Sequence, residues 1–372
     1  MKFIVSSASL LKKLQLISGV ISTNTVLPIL EDFLFLIEQD SLKIFATDLE
    51  ISMSTTVEID SKETGKVAVP AKMLLDILKM LPEQPVTFSI NQDNFAIELT
   101  TDTGKYKLAG ENPDDFPKLP EAGDTQSVDM PSEVLTHAIA KCLFAVSNDE
   151  LRPAMTGILF ELDPSELTFV STDGHKLVQY SRKDVNVQES AKFIVPKKAL
   201  NLLKSALPTE VTNVTLAYDD TNAFFTFQDV FLSTRLIDAR FPDYGAVIPK
   251  DNPYLLTIDR GLFQNAVRRT SIFSNKMTNQ IVLALAGNQL QLSAQDLDYS
   301  NEASEKLDCE YDGEDLKIGF NAKFLNEMLG VMDGNEVKMK LSTPTRAGLL
   351  VPAVDEEHSD LLILVMPISL NV

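Results

Sequence analysis

The sequence carries one plan three times, and this repetition constrains the fold more than any single motif does. The segments LKIFATDLEISMST (42–55), LTFVSTDGHKLVQYS (167–181) and LQLSAQDLDYSNEA (290–303) each read as an alternating apolar strand, a turn built on an aspartate, and more strand. The aspartates are Asp48, Asp173 and Asp296, spaced 125 and 123 residues apart. A second set, VAVPAKMLLDILKMLP (67–82), FIVPKKALNLLKSALP (193–208) and IGFNAKFLNEMLGVM (318–332), places Pro70, Pro196 and Asn321 at the heads of three amphipathic helices, 126 and 125 residues apart. Proline suits the first helical turn and asparagine suits an N-cap. Phe116-Pro117, Phe241-Pro242 and Met366-Pro367 close the three units at a spacing of 125 and again 125, so three periods of about 124 account for all 372 residues.

Each unit also opens with a helical pattern: SASLLKKLQLISG, PSEVLTHAIAKCLFAVS and DRGLFQNAVRRTSIFSN. Within a unit, Ile51, Met53, Val57 and Ile59 alternate with Ser52, Ser54, Thr56 and Glu58, the period of a half-buried strand. Turns such as ELDPSEL (161–167) and ALAGNQL (284–290) join such runs into hairpins. Two helices on antiparallel sheet, three times over, give an α+β architecture with domains at 1–125, 126–250 and 251–372.

The stretch STDGHKLVQY (171–180) is the most enzyme-like in the chain, yet the repeat weighs against catalysis. Where the second copy has Thr172-Asp173-Gly174-His175, the first has Thr47-Asp48-Leu49-Glu50 and the third Gln295-Asp296-Leu297-Asp298. The aspartate therefore belongs to a shared turn, where a carboxylate accepts backbone N–H bonds. Gly174 and His175 are what set the second copy apart. A serine triad needs side chains converging from separate segments, and Ser171, Asp173 and His175 give no such assurance. His137 and His358 sit in no pattern with it, and no Cys-x-x-Cys or His-x-x-x-His spacing supports a metal. ETGKVAV lacks the upstream glycine of a phosphate-binding loop, and no Gly-x-Gly-x-x-Gly follows a strand. The expectation is a protein with no catalytic residues, no metal and no cofactor. A hydrolase using Asp173 and His175, or a repeat scaffold with no nucleic-acid role, are the competing readings.

The net charge of −20 argues against nucleic acid only if it is evenly spread. It is not. The six helical segments (7–19, 70–80, 132–147, 196–206, 259–276 and 320–332) carry thirteen basic and four acidic side chains, a net +9, which leaves −29 for the remainder. Helices favour glutamate as well as lysine, so propensity does not explain the excess. A shared helical face would be a basic stripe that attracts phosphates without reading bases. No run of about 18 apolar residues exists to span a membrane. Lysines interrupt the apolar N-terminus, unlike a signal peptide, and Cys142 and Cys309 make no disulfide framework. A cytoplasmic location is expected.

LPILEDFLFLIEQDSLKIFATDLEISM, STDGHKLVQYS, RLIDARFPDYGAVIPK and the terminal LVMPISL together resemble the sliding-clamp family, the beta subunits of bacterial DNA polymerase III. The similarity runs from Met1 to the C-terminus, in all three repeats. It implies a head-to-tail homodimer closing a six-domain ring around double-stranded DNA, held without sequence specificity. It also implies a pocket for short linear peptides from the polymerase alpha subunit, the clamp loader, other polymerases and repair proteins. By resemblance the peptide site comprises Met155, Thr172, Gly174, His175, Lys176, Leu177, Pro242, Val247, Leu364, Val365, Met366, Pro367, Ile368, Ser369 and Leu370. The DNA-facing residues are Lys12, Lys13, Lys72, Lys79, Lys141, Arg152, Lys197, Lys198, Lys204, Arg268, Arg269 and Lys323, and the dimer contacts are Tyr106, Ile272 and Phe273. Ala246 stands where the family often has arginine, and Asn24, Pro153 and Ala154 stand where basic or aromatic DNA contacts can occur.

Overall fold

The computed structural model describes residues 1–22, 27–123, 125–354 and 356–370; Asn24 lies outside them. Among the described residues are α1 (Ser7–Ile17), α2 (Ala71–Met80), α3 (Ser132–Cys142), α4 (Lys197–Ala206), α5 (Arg260–Ser271) and α6 (Ala322–Val331), with antiparallel strands between them. Two compact units form: Met1–Thr136 with Lys198–Leu236, and His137–Lys197 with Ile237–Val372.

The first unit holds a five-stranded sheet, ordered 60–61, 2–6, 85–90, 96–100 and 105–109, and an eight-stranded one. The latter runs 126–131, 213–218, 222–227, 230–235, 51–58, 41–47, 32–37 and 65–70. The second unit holds a nine-stranded sheet, ordered 191–196, 157–163, 166–172, 176–182, 359–365, 348–352, 336–341, 254–259 and 310–312. Its four-stranded sheet runs 301–308, 289–296, 280–286 and 316–321. The larger sheets run through the places where the sequence repeat turns over. Ser233 pairs with Ser52 in the first unit, and Leu364 pairs with Leu177 in the second.

Local chemistry explains most element ends. Asn321 caps α6 by accepting from the N–H groups of Lys323 and Phe324, and Asp259 caps α5 by accepting from Leu262 N–H at 2.7 Å. Asp259 is thus outside the helix, and Lys276 lies beyond its end at Ser271; the helical pattern read over 259–276 is shortened accordingly. Segment 132–147 likewise ends its α-helix at Cys142 and tightens into a 3₁₀ turn over Leu143–Ala145. Pro70 and Pro196 do not occupy the first turn as expected. Each is the last residue of a strand directly before a helix, a position where a missing N–H is tolerated. The two anticipated hairpins form, with Pro164-Ser165 and Gly287-Asn288 as their tips. Gly287 has φ +52°, which glycine adopts without a Cβ clash.

The strand Ile51–Glu58 corrects its own pattern. Its serine face is buried as well: Ser52 and Ser54 are only 5% and 2% exposed.

Candidate functional site

The repeated turn is built the same way in its first two copies. The Asp173 carboxylate accepts from His175 N–H at 2.8 Å and Lys176 N–H at 2.9 Å; that of Asp48 accepts from Glu50 N–H at 3.0 Å and Ile51 N–H at 2.7 Å. The Thr172 hydroxyl donates to Lys176 O and accepts from Gly174 N–H, as Thr47 does with Ile51 and Leu49. In the third copy Asp296 accepts from Asp298 N–H at 3.1 Å. The aspartate is a turn-former, as the repeat implied. Burial would raise the Asp173 pKa, but the Lys176 ammonium and two backbone donors outweigh it and hold the carboxyl below the usual range. Ser171 is fully buried and donates to Cys142 O at 2.7 Å, so it forms no triad with Asp173 and His175.

The turn needs a left-handed residue, and this decides Gly174. Its φ is +90°, matched by +78° at Leu49. A Cβ on Gly174 would come within 2.9 Å of an Arg152 guanidinium nitrogen. Glycine at this position meets the backbone conformation and leaves room for the Arg152 side chain.

Around this turn the second unit gathers an apolar cluster. Leu177 and Leu364 are cross-strand partners, 2% and 3% exposed, and pack with Leu159, Val170, Ile194, Ala347 and Leu349. Ala154, Ile237, Phe241, Tyr244, Ile248 and Leu362 lie half-buried against them. Phe241 and Tyr244 meet edge-to-face at 6.4 Å, and Tyr244 donates to the Glu161 carboxylate. Burial, then that carboxylate, pushes the Tyr244 phenol well up. Exposed apolar groups remain on this unit at Met366 and Val247, 42% and 57% accessible.

Among the other residues assigned to the site, Met155 is half-buried and Pro242 and Ser369 are exposed, while Val365 is buried in its strand. Met366 N–H donates to His175 O at 2.8 Å, and Ile368 N–H to Gly319 O at 2.8 Å, which anchors the tail through Pro367. Leu370 approaches Gly319. The exposed imidazole of His175 stacks on Phe324 of α6, with ring centroids 6.2 Å apart. The Lys176 side chain is 7% exposed, its ammonium 2.9 Å from Asp173, 3.3 Å from Glu327 and 4.2 Å above the Phe324 ring. Lys176 therefore braces the turn against α6. Phe324, Phe241 and Tyr244 were not among the residues assigned to the site from sequence, although FPDYG was the available signal for the latter two. Ala154, read as a DNA position, packs on the apolar cluster, and Ala246 is exposed.

The basic residues divide sharply. Lys12, Lys72, Lys79, Lys204 and Lys323 are exposed and have no ion pair among the described residues. Lys13 pairs with Asp229; Lys198 meets Asp48 at 2.5 Å, Arg269 meets Glu305 at 2.6 Å and Arg152 meets Asp149 at 2.8 Å. Lys197 donates to Asn148 and Arg268 to Asn326. Lys141 departs from its expected outward role. Its side chain is 8% exposed, paired with Asp333, and its ammonium lies 5.7 Å from the Tyr180 ring centre. Tyr106 is half-buried on the outermost strand of its sheet, Lys105–Ala109, while Ile272 and Phe273 are 66% and 40% exposed just after α5.

Three helix-on-sheet repeats with this turn and C-terminal strand define a clamp-type chain of three domains. Models of the DNA polymerase III beta subunit match its N-terminal domain at residues 1–120, its central domain at 129–243 and its C-terminal domain at 245–369. The chain belongs to that family. It is 31% identical to the beta sliding clamp of Pseudomonas putida over 372 residues, covering 100% of both chains, and 30% identical to that of Pseudomonas aeruginosa over the same extent. The crystal structure of the Pseudomonas aeruginosa sliding clamp bound to griselimycin superposes with a TM-score of 0.94 at 29% identity, covering 100% of each chain.

Proposed function

We infer that this protein is a DNA sliding clamp, a non-catalytic processivity factor that encircles duplex DNA and tethers a polymerase to it. The observation that carries the inference is the match of three consecutive beta-subunit domains along the whole chain. A ring linked topologically to DNA needs no tight grip, so weak, screened lysine contacts suffice to centre the duplex while it slides. The tethered polymerase gains effective concentration at the primer end.

Two chains join head to tail, each contributing domains at 1–125, 126–250 and 251–372. The strands Lys105–Ala109 and Asn301–Asp308 are outermost in their sheets. The first carries Lys105 and Lys107, and the second carries Glu302, Glu305 and Asp308 against a single Lys306. Pairing one chain's lysine edge with the other's acidic edge removes both exposed edges and closes the assembly. Tyr106, Ile272 and Phe273 supply the apolar contact beside that seam.

The apolar cluster around Leu177 and Leu364, bordered by Met366 and Val247, takes a short peptide with leucine and phenylalanine anchors. The partners that supply it are the polymerase alpha subunit, the clamp loader, other polymerases and repair proteins in the cytoplasm. No helix among the described residues is long and apolar enough to cross a membrane.

The test compares retention of loaded protein on circular DNA with retention on the same DNA after linearisation. Topological linkage predicts rapid loss on linearisation. Equal retention on both forms would sink the reading.

A further inference from the structure

In each unit the aspartate turn is met by a helix of the next repeat, but the chemistry of the meeting differs. In the first, Lys198 from α4 reaches the Asp48 carboxylate at 2.5 Å. In the second, Lys323 of α6 stands 125 residues on from Lys198 and has no ion pair among the described residues. The cation comes from the turn itself: the Lys176 ammonium lies 2.9 Å from Asp173 and 3.3 Å from Glu327, on the second turn of α6.

Four positions 125 residues apart compare the two seams. Gly19, Ile51, Ala199 and Leu202 in the first become Phe144, Lys176, Phe324 and Glu327 in the second. The first seam is apolar there: Ile51 is 3% exposed, and a Cβ on Gly19 would come within 2.6 Å of Leu202. The second is ionic and aromatic, with the Lys176 ammonium 4.2 Å from the Phe324 ring centre and 5.9 Å from that of Phe144. The turn does not require this, because Asp48 closes the same backbone hydrogen bonds with isoleucine in the lysine's place. A buried ion pair is often no more stabilising than packed apolar groups of its volume, so stability does not account for the exchange. Direction does: an ammonium held by two carboxylates fixes a position that non-directional apolar contact leaves loose.

What surrounds Lys176 shows why direction matters at this turn. On one side His175 O accepts from Met366 N–H at 2.8 Å; on the other Leu177 pairs with Leu364 in the apolar cluster. The His175 ring stacks on Phe324, one helical turn before Glu327. Two side chains on one face of α6 thus grip the turn where its strand meets the tail. We propose that Glu327 is a positioning residue for the peptide site, holding the turn of His175 and Leu177 against Leu364 and Met366 through Lys176. It needs no contact with the peptide, because the Lys176 side chain, 7% exposed, transmits its hold. The proposal rests on the reading of this groove as a peptide site.

The test is calorimetric titration of the full-length protein with acetylated and amidated Gln-Leu-Ser-Leu-Phe, a probe with no charged group. Glu327→Gln should weaken binding about fivefold and Lys176→Met about tenfold. Adding Glu327→Gln to Lys176→Met should weaken it no further, since the glutamate acts through the lysine. The Glu327 effect should shrink at high salt, because that side chain is 43% exposed. Lys176→Ile with Glu327→Leu imports the residues of the first seam; it should fold, yet bind no better than Lys176→Met. Lys183→Gln breaks a pair with Asp360 at the far end of the same two strands and should leave binding unchanged. Without peptide, the imidazole proton resonance of His175, one of three histidines, should move in Glu327→Gln. Wild-type affinity in Glu327→Gln, an equal Glu327 effect with and without Lys176, an equal loss in Lys183→Gln, or an unmoved His175 resonance would each overturn the proposal. Failure of the wild type to bind the peptide would remove the peptide site and this proposal with it; a wild type that binds but is indifferent to Glu327→Gln would remove this proposal alone.

Discussion

Lys141 is joined to Asp333 by an ion pair whose lysine end is buried, with the ammonium also donating toward Val331 O at 3.4 Å. A lysine on a basic helix has become a brace between α3 and the turn after α6. Fixing this charge inside the protein takes it away from any phosphate.

Lys141→Met keeps most of the apolar stem, so it should cost about 1–2 kcal/mol of stability, with Asp333 remaining hydrated. It should leave DNA retention at low salt as in the wild type. Urea unfolding and retention on circular DNA give the two readings; a marked loss of retention would return Lys141 to the DNA face.

The opposite pattern is expected for Lys12, Lys72, Lys204 and Lys323, which are exposed on their helices. Replacing all four with alanine should leave stability within about 1 kcal/mol and reduce the salt dependence of retention or loading. Each lost phosphate contact should lower the slope of log affinity against log salt by roughly 0.9. An unchanged slope would mean these lysines do not meet DNA.

Ile272→Ala with Phe273→Ala should give folded monomers. Both residues are apolar, adjacent and exposed in the single chain, as proposed dimer contacts would be. Losing two such anchors is worth several kcal/mol, roughly 3–6 after interface relaxation. Sedimentation velocity that still reports a dimer at micromolar concentration would contradict this assignment.

Leu49 holds φ +78° in a turn whose second copy uses glycine. Leu49→Gly should therefore stabilise the first unit by about 1 kcal/mol, since the side chain is 56% exposed and little packing is lost. Thermal unfolding that shows a loss instead would mean that Leu49 makes contacts worth more than the backbone strain.

Asp32 gives a pH signature. It is 5% exposed, with Oδ2 unpartnered among the described residues, and burial, then Glu111 and Glu31, raises its pKa to about 7. The folded state then holds a proton that the unfolded state releases near pH 4, so stability falls as pH rises from about 4 to about 7. Asp32→Asn should remove this slope and stabilise the protein above pH 7 by at most about 4 kcal/mol. Urea unfolding at pH 5, 6, 7 and 8 reads the effect; parallel curves for the two proteins would refute it.

The sequence made the repeat, the aspartate turn, the hairpins and the class of fold legible, because each depends on local periodicity or local hydrogen bonding. Asn321 could be read as a cap from its position alone. The fates of Lys141 and Lys176 could not, since their partners Asp333 and Glu327 lie 192 and 151 residues away in the chain. The buried serine face of 51–58 was hidden for the same reason: strand 230–235, which pairs with it, comes from another repeat. Family resemblance could name Leu177 and Leu364, but only packing revealed Phe241, Tyr244 and Ala154 against the same cluster.

The eight- and nine-stranded sheets have a mechanical consequence. Where Ser233 meets Ser52 and Leu364 meets Leu177, neighbouring repeats are stitched by backbone bonds from a single chain, with no loose ends to part. The strands Lys105–Ala109 and Asn301–Asp308 are outermost in their sheets, and in the proposed ring they pair with another copy of the protein. A closed pair of chains would thus have welded joints and two latches, and a loading machine that must admit DNA would spend its force on a latch.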